Sequence, residues 1–129
     1  CKYFGSDLKI EVNGSIRYPD GFVVCSPVAR SATVVADPVV IFEVLSPSTS
    51  NIDRIVKNRE YEATPSVRRY IILEQDRIAA TVFERAANDW IGHILTENDV
   101  LAMPEIGVEI PLAEFYEGLD FTEQESATP

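Results

Sequence analysis

The sequence predicts a single α/β domain in which a mixed β-sheet packs against at least one helix. An apolar strand at residues 39–45 is followed by a helical stretch and by a second apolar strand at 67–74. That connection is long enough for a right-handed parallel crossover. The shorter strand patterns on either side are typical of antiparallel pairing. The chain of 129 residues is long enough for one domain with its own core.

The N-terminal part predicts a β-hairpin. Residues 7–12 alternate as a strand, and Asn13-Gly14 is a strong two-residue turn signal because both turn positions favour positive φ. A second strand pattern covers 16–27 and is interrupted by Pro19-Asp20-Gly21, where proline cannot donate to a ladder. We therefore expect a bend, a bulge or a sheet edge at that point. Residues 28–38 are predicted to form a loop.

The helix predicted between the two apolar strands begins near Ser50, where Asp53 gives a pattern like a capping box, and ends at Pro65. Its apolar side is predicted from Ile52, Ile55, Val56 and Ala63. Further strands are predicted at 78–84, 90–95 and 106–110, with a short helical turn at 112–117. We expect the domain to cover residues 1–119 and the acidic residues 120–129 to form a flexible tail.

The net charge of −10 is unevenly distributed along the chain. Residues 1–85 contain all 11 Lys and Arg and 11 of the 21 Asp and Glu, so this part is balanced. Residues 86–129 contain the other 10 acids and no Lys or Arg. The first two thirds of the chain can therefore approach a phosphate backbone, whereas the acidic end is expected to face away from it.

The sequence also favours a cytoplasmic protein. The first ten residues contain no apolar stretch typical of a signal peptide, and the chain has no apolar run long enough for a transmembrane helix. Its two cysteines, Cys1 and Cys25, are too few for a disulfide framework. We expect both to be free thiols.

Glu43 is the residue that most directly suggests chemistry, since it stands inside the apolar strand 39–45 and burying an unpaired carboxylate is costly. It lies near the end of that strand, where α/β sheets usually bind ligands. Asp20, at the distorted point of the preceding strand, is expected nearby. Two close carboxylates would bind Mg²⁺, with Lys57 of the next helix beside them. The alternatives are a structural pair or an outward-facing position for Glu43, a turn role for Asp20 and an (i, i+4) pair of Lys57 with Asp53.

These residues carry a resemblance to a known family. The chain contains Tyr18-Pro19-Asp20, the string EVLSPST at 43–49 and the spacing Asp53-x-x-x-Lys57-x-x-x-Tyr61, with Tyr70 in the next strand. With these motifs it resembles the Uma-type putative restriction endonucleases of the PD-(D/E)XK nuclease-like superfamily, over roughly residues 3–117. The resemblance implies a restriction-endonuclease-like core and hydrolysis of DNA phosphodiester bonds dependent on Mg²⁺ or Mn²⁺.

The resemblance also assigns roles to individual residues. It makes Asp20 and Glu43 metal ligands, together with the backbone carbonyl of Val44. Leu45 stands where the superfamily usually has its catalytic lysine, and Lys57 from the helix is expected to take that role. Asp7 matches a recurrent aspartate near the site, with a less defined function.

Two expectations concern the whole protein. Members of the family usually carry a further N-terminal helical segment, so the domain is expected to be N-terminally incomplete. A homodimer is expected because two cuts on a duplex suit two sites. The alternative function is a catalytically inactive nuclease-fold interaction module, and DNA cleavage distinguishes the two.

Overall fold

The computed structural model describes residues 1–46 and 51–117. Its strands are β1 (Lys2–Phe4), β2 (Lys9–Val12), β3 (Ser15–Arg17), β4 (Gly21–Val24), β5 (Val34–Val35), β6 (Pro38–Val44), β7 (Arg69–Leu73), β8 (Ala79–Ala86), β9 (Asp89–Thr96), β10 (Val100–Met103) and β11 (Val108–Pro111). Its α-helix is α1 (Asn51–Glu62), and 3₁₀ turns cover Pro104–Ile106 and Leu112–Tyr116. The predicted mixed α/β class is confirmed.

A six-stranded mixed sheet in the order β1-β4-β6-β7-β8-β9 forms the centre of the molecule. β6 and β7 are parallel and joined through α1, as the spacing of the two apolar strands predicts, and the other neighbours are antiparallel. β6 is consequently an interior strand covered on both faces, which explains its lack of polar alternation. A three-stranded sheet, β3-β2-β5, and the hairpin β10-β11 lie outside the central sheet.

The segment predicted as one interrupted strand, 16–27, is two strands in different sheets. β3 pairs with β2 across the predicted turn, where Asn13 and Gly14 both have positive φ, at 48° and 81°. β4 belongs to the central sheet and carries a register shift between Val23 and Val24. The chain changes sheets at Pro19 and Asp20, because proline cannot continue the ladder.

Two apolar layers cover the central sheet. The layer on the α1 side contains Ile10, Phe22, Ile41, Tyr61, Tyr70 and Ile72. The opposite layer contains Val40, Ile71, Val82, Leu101, Met103 and Leu112, so the C-terminal hairpin and 3₁₀ turn cover that face. Arg69 is buried there and donates to both Glu84 and Glu105, which ties β7 to β8 and to the C-terminal segment.

The apolar side predicted for the helix is wrong. Ile52, Ile55 and Val56 are exposed by 75%, 54% and 42%, and Tyr61 is the buried residue of α1. The helix turns a largely polar side to the sheet, since Arg54, Lys57 and Asn58 line clefts between them. The predicted cap residue Ser50 lies outside the described residues. At the other end, the Arg85 guanidinium donates to the carbonyls of residues 61, 62 and 64 and so caps the helix.

The predicted free thiols are also wrong, because Cys1 and Cys25 form a disulfide. The cause is topological: β1 pairs antiparallel with β4, with Lys2 opposite Val24, so the next residues outward face each other. A count of cysteines cannot reveal this pairing. In the described part of the chain, no helix has the length and apolar character needed to cross a membrane. The predicted flexible tail, 120–129, lies outside the described residues.

Candidate metal and phosphate site at the end of β6

A cleft of about 170 Å³ opens on the α1 side of the sheet, at the carboxyl end of β6. It is lined by Tyr18, Asp20, Glu43, Val44, Leu45, Arg54, Lys57, Tyr70 and Ile72. Three predicted catalytic residues, Asp20, Glu43 and Lys57, therefore share one cleft. They come from the start of β4, the end of β6 and the second turn of α1.

Asp20 is held beside the end of β6 by a backbone contact. Gly21 is in register with Phe42, so the position before Gly21 lies next to Glu43. The amide of Val44 donates to Asp20 Oδ2 at 2.7 Å, which anchors the carboxylate to the neighbouring strand. Glu43 shares the α1 face of the sheet with Ile41. Asp20 precedes β4 by one residue, at the end of the sheet, where it lines the cleft on the α1 side and also a cleft on the opposite side.

Glu43 is surrounded by three donors. The hydroxyl of Tyr70 donates to Oε2 at 2.6 Å, and the hydroxyl of Tyr61 donates to Oε1 at 3.3 Å. The ammonium of Lys57 lies 3.6 Å from Oε1, while the Glu43 side chain is only 14% exposed. These donors offset the cost of removing the carboxylate from water. They explain how an apolar interior strand accommodates a charged residue.

The two tyrosines are fixed as donors. Burial, and then the nearby charge of Glu43, raise the pKa of both Tyr61 and Tyr70 well above the usual range. Arg54 acts in the opposite direction on the pKa of Tyr70, so its guanidinium lies within electrostatic reach of that hydroxyl. Both phenols remain protonated at physiological pH. They hold the Glu43 side chain in one orientation, with ring centroids 4.6 Å apart in an edge-to-face pair.

Lys57 is placed over the cleft by the anchoring of α1. Its ammonium also lies 3.2 Å from Asp53 Oδ2, the predicted (i, i+4) pair. One turn further on, Glu60 accepts from Arg17 of β3 at 2.6 and 2.8 Å and from Ser15 at 3.0 Å. This contact attaches the helix to the N-terminal hairpin. Lys57 is therefore both the partner of Asp53 and a neighbour of Glu43.

The lining of the cleft differs from the prediction at two residues. Asp7 is exposed in the turn before β2 and is not among the residues that line the cleft. Arg54, for which the sequence predicts no role, does line it. The signal available in the sequence was its position three residues before Lys57, which puts both cations on one side of the helix.

The carboxylate oxygens of Asp20 and Glu43 are suitable ligands for a magnesium ion. Across residues 1–46 and 51–117, no group of three or more His, Cys, Asp or Glu is arranged to hold a metal. Mg²⁺, however, is commonly held by one or two carboxylates, with water and substrate phosphate completing its shell. A carboxylate has about four lone-pair sites, so the hydrogen bonds to Asp20 and Glu43 do not exhaust their capacity. Two carboxylates that line one cleft therefore fit such an ion.

Comparison with known proteins places the chain in a family. It is 31% identical over 125 residues to the uncharacterized protein slr1290 of Synechocystis sp., an alignment that covers 94% of this chain. The chain spans 66% of the length of that relative. The model of the Uma2 family, described as "Putative restriction endonuclease", matches residues 1–113. Since this match covers most of the 129 residues, the chain belongs to the Uma2 family.

Proposed function

We propose that the protein is a metal-dependent endonuclease that hydrolyses phosphodiester bonds of DNA at the cleft beside β6. The observation that carries the proposal is the grouping of Asp20, Glu43 and Lys57 around one small polar cleft. Membership of the Uma2 family supports a nuclease-like function. Neighbouring carboxylates repel a phosphate, and a bound cation would offset this repulsion at the scissile phosphate.

Asp20 and Glu43, with the backbone carbonyl of Val44, are the residues that would hold Mg²⁺ or Mn²⁺. Such an ion supplies charge neutralisation at the phosphate and makes water more acidic. Tyr61 and Tyr70 keep the Glu43 carboxylate oriented toward the cleft through their hydrogen bonds at 3.3 and 2.6 Å. Asp20 is kept in place by the amide of Val44.

Lys57 has the charge and position to interact with the scissile phosphate. Its side chain is 23% exposed and reaches toward Glu43, so the ammonium can donate to a phosphate oxygen that enters the cleft. A cation fixed there stabilises the negative charge that develops on the phosphoryl group. The hydrogen bonds of Glu43 to the two phenols do not depend on Lys57. We therefore expect the carboxylate to stay in place when the lysine is removed.

The proposal is tested by nicking of supercoiled plasmid in the presence of Mg²⁺ or Mn²⁺, with protein expressed from its complete open reading frame. Wild-type protein should nick DNA, and Asp20→Asn, Glu43→Gln and Lys57→Met should each reduce the rate by at least about a hundredfold. Glu62→Gln, an exposed carboxylate on the same helix, serves as the matched control and should retain the rate. Equal nicking by all five proteins would reveal a contaminant or another site.

The second candidate function is an interaction module with the nuclease fold and no turnover. The observation in its favour is that the three donors around Glu43 already satisfy the carboxylate without a metal. Absence of metal-dependent cleavage of DNA and RNA by the wild type, in folded protein, would select this function.

The homodimer stays a prediction. A surface that suits it is β9, an edge strand of the central sheet in which Ile91 and Ile94 are 44% and 71% exposed. Sedimentation equilibrium of the wild type and of Ile94→Lys tests this pairing.

A further inference from the structure

A second cleft adjoins the site and is not used by the chemistry described above. It has a volume of about 380 Å³ and lies between α1 and the strands β7 and β8. It is lined by Asn51, Arg54, Ile55, Asn58, Ile72 and Phe83. Arg54 and Ile72 line both clefts, so the two are neighbours with Arg54 at their junction.

The lining of this second cleft combines apolar side chains with polar ones. Ile55, Ile72 and Phe83 form the apolar part, and the Phe83 ring is stacked between Tyr70 and Trp90 at centroid distances of 6.2 and 6.3 Å. Asn58 accepts a hydrogen bond from the Trp90 indole at 3.0 Å, which fixes its amide at the cleft. A nucleobase has the same two features, since its faces are apolar and its edges carry donors and acceptors.

Arg54 lacks a partner that its burial would normally require. Its Nε is buried and has no hydrogen-bond partner. Among the residues that the structure describes, no other buried side-chain nitrogen or oxygen lacks such a partner. A buried donor without a partner costs free energy and calls for an explanation, and a ligand in the adjoining cleft is one. The planar guanidinium of arginine matches phosphate oxygens through paired donors.

Arg54 and Lys57 are three residues apart on α1, which places their Cβ atoms about 5–6 Å apart on one side of the helix. Lys57 faces the acidic pair and Arg54 faces the junction with the second cleft. The two cations can therefore contact neighbouring phosphates of one strand.

We propose that the second cleft binds one unpaired nucleotide of the substrate strand, next to the scissile phosphate. Arg54 binds the phosphate of this nucleotide, and Ile55, Ile72 and Phe83 contact its base. This inference rests on the proposed function for the identity of the scissile phosphate. It also specifies the substrate, because a base that enters this cleft cannot at the same time pair with a second strand. The substrate is therefore a single strand, or a duplex with an unpaired base at the cleavage point.

The test is binding of fluorescein-labelled single-stranded DNA and RNA oligonucleotides, followed by fluorescence anisotropy in EDTA. The measurements use an Asp20→Asn background, which carries one negative charge fewer beside the cleft and cannot cleave under the proposed function. Binding is thereby separated from hydrolysis. Each variant is first shown to be folded by its melting curve.

The matched pair for the phosphate contact is Arg54→Ala and Arg59→Ala. Arg59 is exposed on the same helix and lines neither cleft, so both variants lose the same charge. Arg54→Ala should weaken single-strand binding by about tenfold, the loss of one charge-assisted contact. It should also reduce the slope of log affinity against log salt by about 0.7, the value for one phosphate of a single strand. Arg59→Ala should stay within about twofold of the background.

The matched pair for the base contact is Ile55→Ala and Ile52→Ala. Alanine at position 55 removes apolar surface that contacts the base and should weaken binding by about fourfold, the value of one buried methylene group, without removing a charge. Ile52 is 75% exposed and lines neither cleft, so the same change there should leave affinity unaltered. Single strands should bind more tightly than the matching duplex, and a duplex with one unpaired base should recover part of the difference.

Equal weakening by Arg54→Ala and Arg59→Ala would overturn the subsite and leave only general charge attraction. No effect of Arg54→Ala, no single-strand binding at all, or an equal preference for the perfect duplex would overturn it as well. These outcomes differ from failure of the proposed function, which is absence of cleavage by the wild type. If the protein binds single strands through Arg54 but does not cleave them, the nucleotide subsite stands and the proposed endonuclease activity is wrong.

Discussion

At the scale of single residues, the arrangement around Glu43 explains why a charge is stable in an interior strand. Two phenols and one ammonium contact its carboxylate, so folding replaces water with three donors. Without Lys57, the carboxylate keeps its two neutral donors. Without Glu43, Lys57 still has Asp53 at 3.2 Å. Neither Glu43 nor Lys57 is left without a partner when the other is removed. Lys57 can therefore give up its contact with Glu43 and bind a ligand in the cleft.

A thermal-shift experiment tests the metal role of Glu43. Glu43→Gln should reduce the free energy of unfolding of the metal-free protein by about 1 kcal/mol, because one tyrosine hydroxyl then donates to a neutral oxygen and the other faces an amide nitrogen that cannot accept. Mn²⁺ should raise the melting temperature of the wild type by mass action and have no effect on Glu43→Gln. Glu62→Gln is the control and should respond to Mn²⁺ like the wild type. A wild type indifferent to millimolar Mn²⁺ would contradict the metal site.

The sequence could predict that Glu43 needs a partner, because a carboxylate in an apolar strand always does. The partners themselves depend on contacts between elements. Tyr61 and Tyr70 are 18 and 27 residues from Glu43, and only the packing of α1 and β7 brings their hydroxyls to it. Arg54 was missed for a similar reason, since one polar residue among several on a helix has no distinctive pattern.

At the scale of elements, the attachment of α1 determines where Lys57 and Arg54 stand. Arg17 donates twice to Glu60, and these hydrogen bonds are the main cause of the lowered pKa of Glu60 and the raised pKa of Arg17. The helix has few buried apolar side chains of its own, with Tyr61 as its buried residue. This ion pair therefore contributes more to its position than a surface pair normally would.

The helix attachment has a definite pH dependence. Because the folded pKa of Glu60 is below the ordinary value of 4.5, its contribution to stability is complete above pH 4.5 and is lost as the pH falls through the lowered pKa. Glu60→Gln should reduce the free energy of unfolding by about 1–3 kcal/mol at pH 7, and this difference should shrink as the solution is acidified below pH 4.5. Urea denaturation across this range measures it. Glu62→Gln is the control, and a difference independent of pH would contradict the assignment.

The order of the elements was predictable because local signals agreed with the fold. Asn13-Gly14, Pro65 and the apolar runs of β6 and β7 each define a boundary or a strand. The exposed side of the helix was not predictable, since Ile52, Ile55 and Val56 have the spacing of a buried stripe. At the carboxyl end of β6, however, the sheet surface that faces the helix carries the polar groups of Glu43 and Tyr70. The polar side of α1 therefore packs against it.

At the scale of the whole molecule, charge and topology separate two faces. The hairpin β10-β11 and the last 3₁₀ turn come from the part of the chain without Lys or Arg, and they cover the sheet face opposite α1. The two cations of the proposed nucleotide site lie on the α1 face. At physiological salt the screening length is about 8 Å, so acids across the sheet repel a strand on the α1 face only weakly. A protein with a net charge of −10 can in this way bind an anionic ligand.

The disulfide between Cys1 and Cys25 acts on the stability of the whole domain, because it closes the first 25 residues into a loop that contains all of β1, β2, β3 and β4. Reduction should lower the free energy of unfolding by roughly 3.5 kcal/mol, the loop-closure value for this length. Denaturation with and without a phosphine reductant measures the change. The variant with both cysteines replaced by serine is the control, and it should match the reduced wild type and ignore the reductant. A wild type that also ignores the reductant would mean that both thiols are free in solution, as the sequence alone predicts.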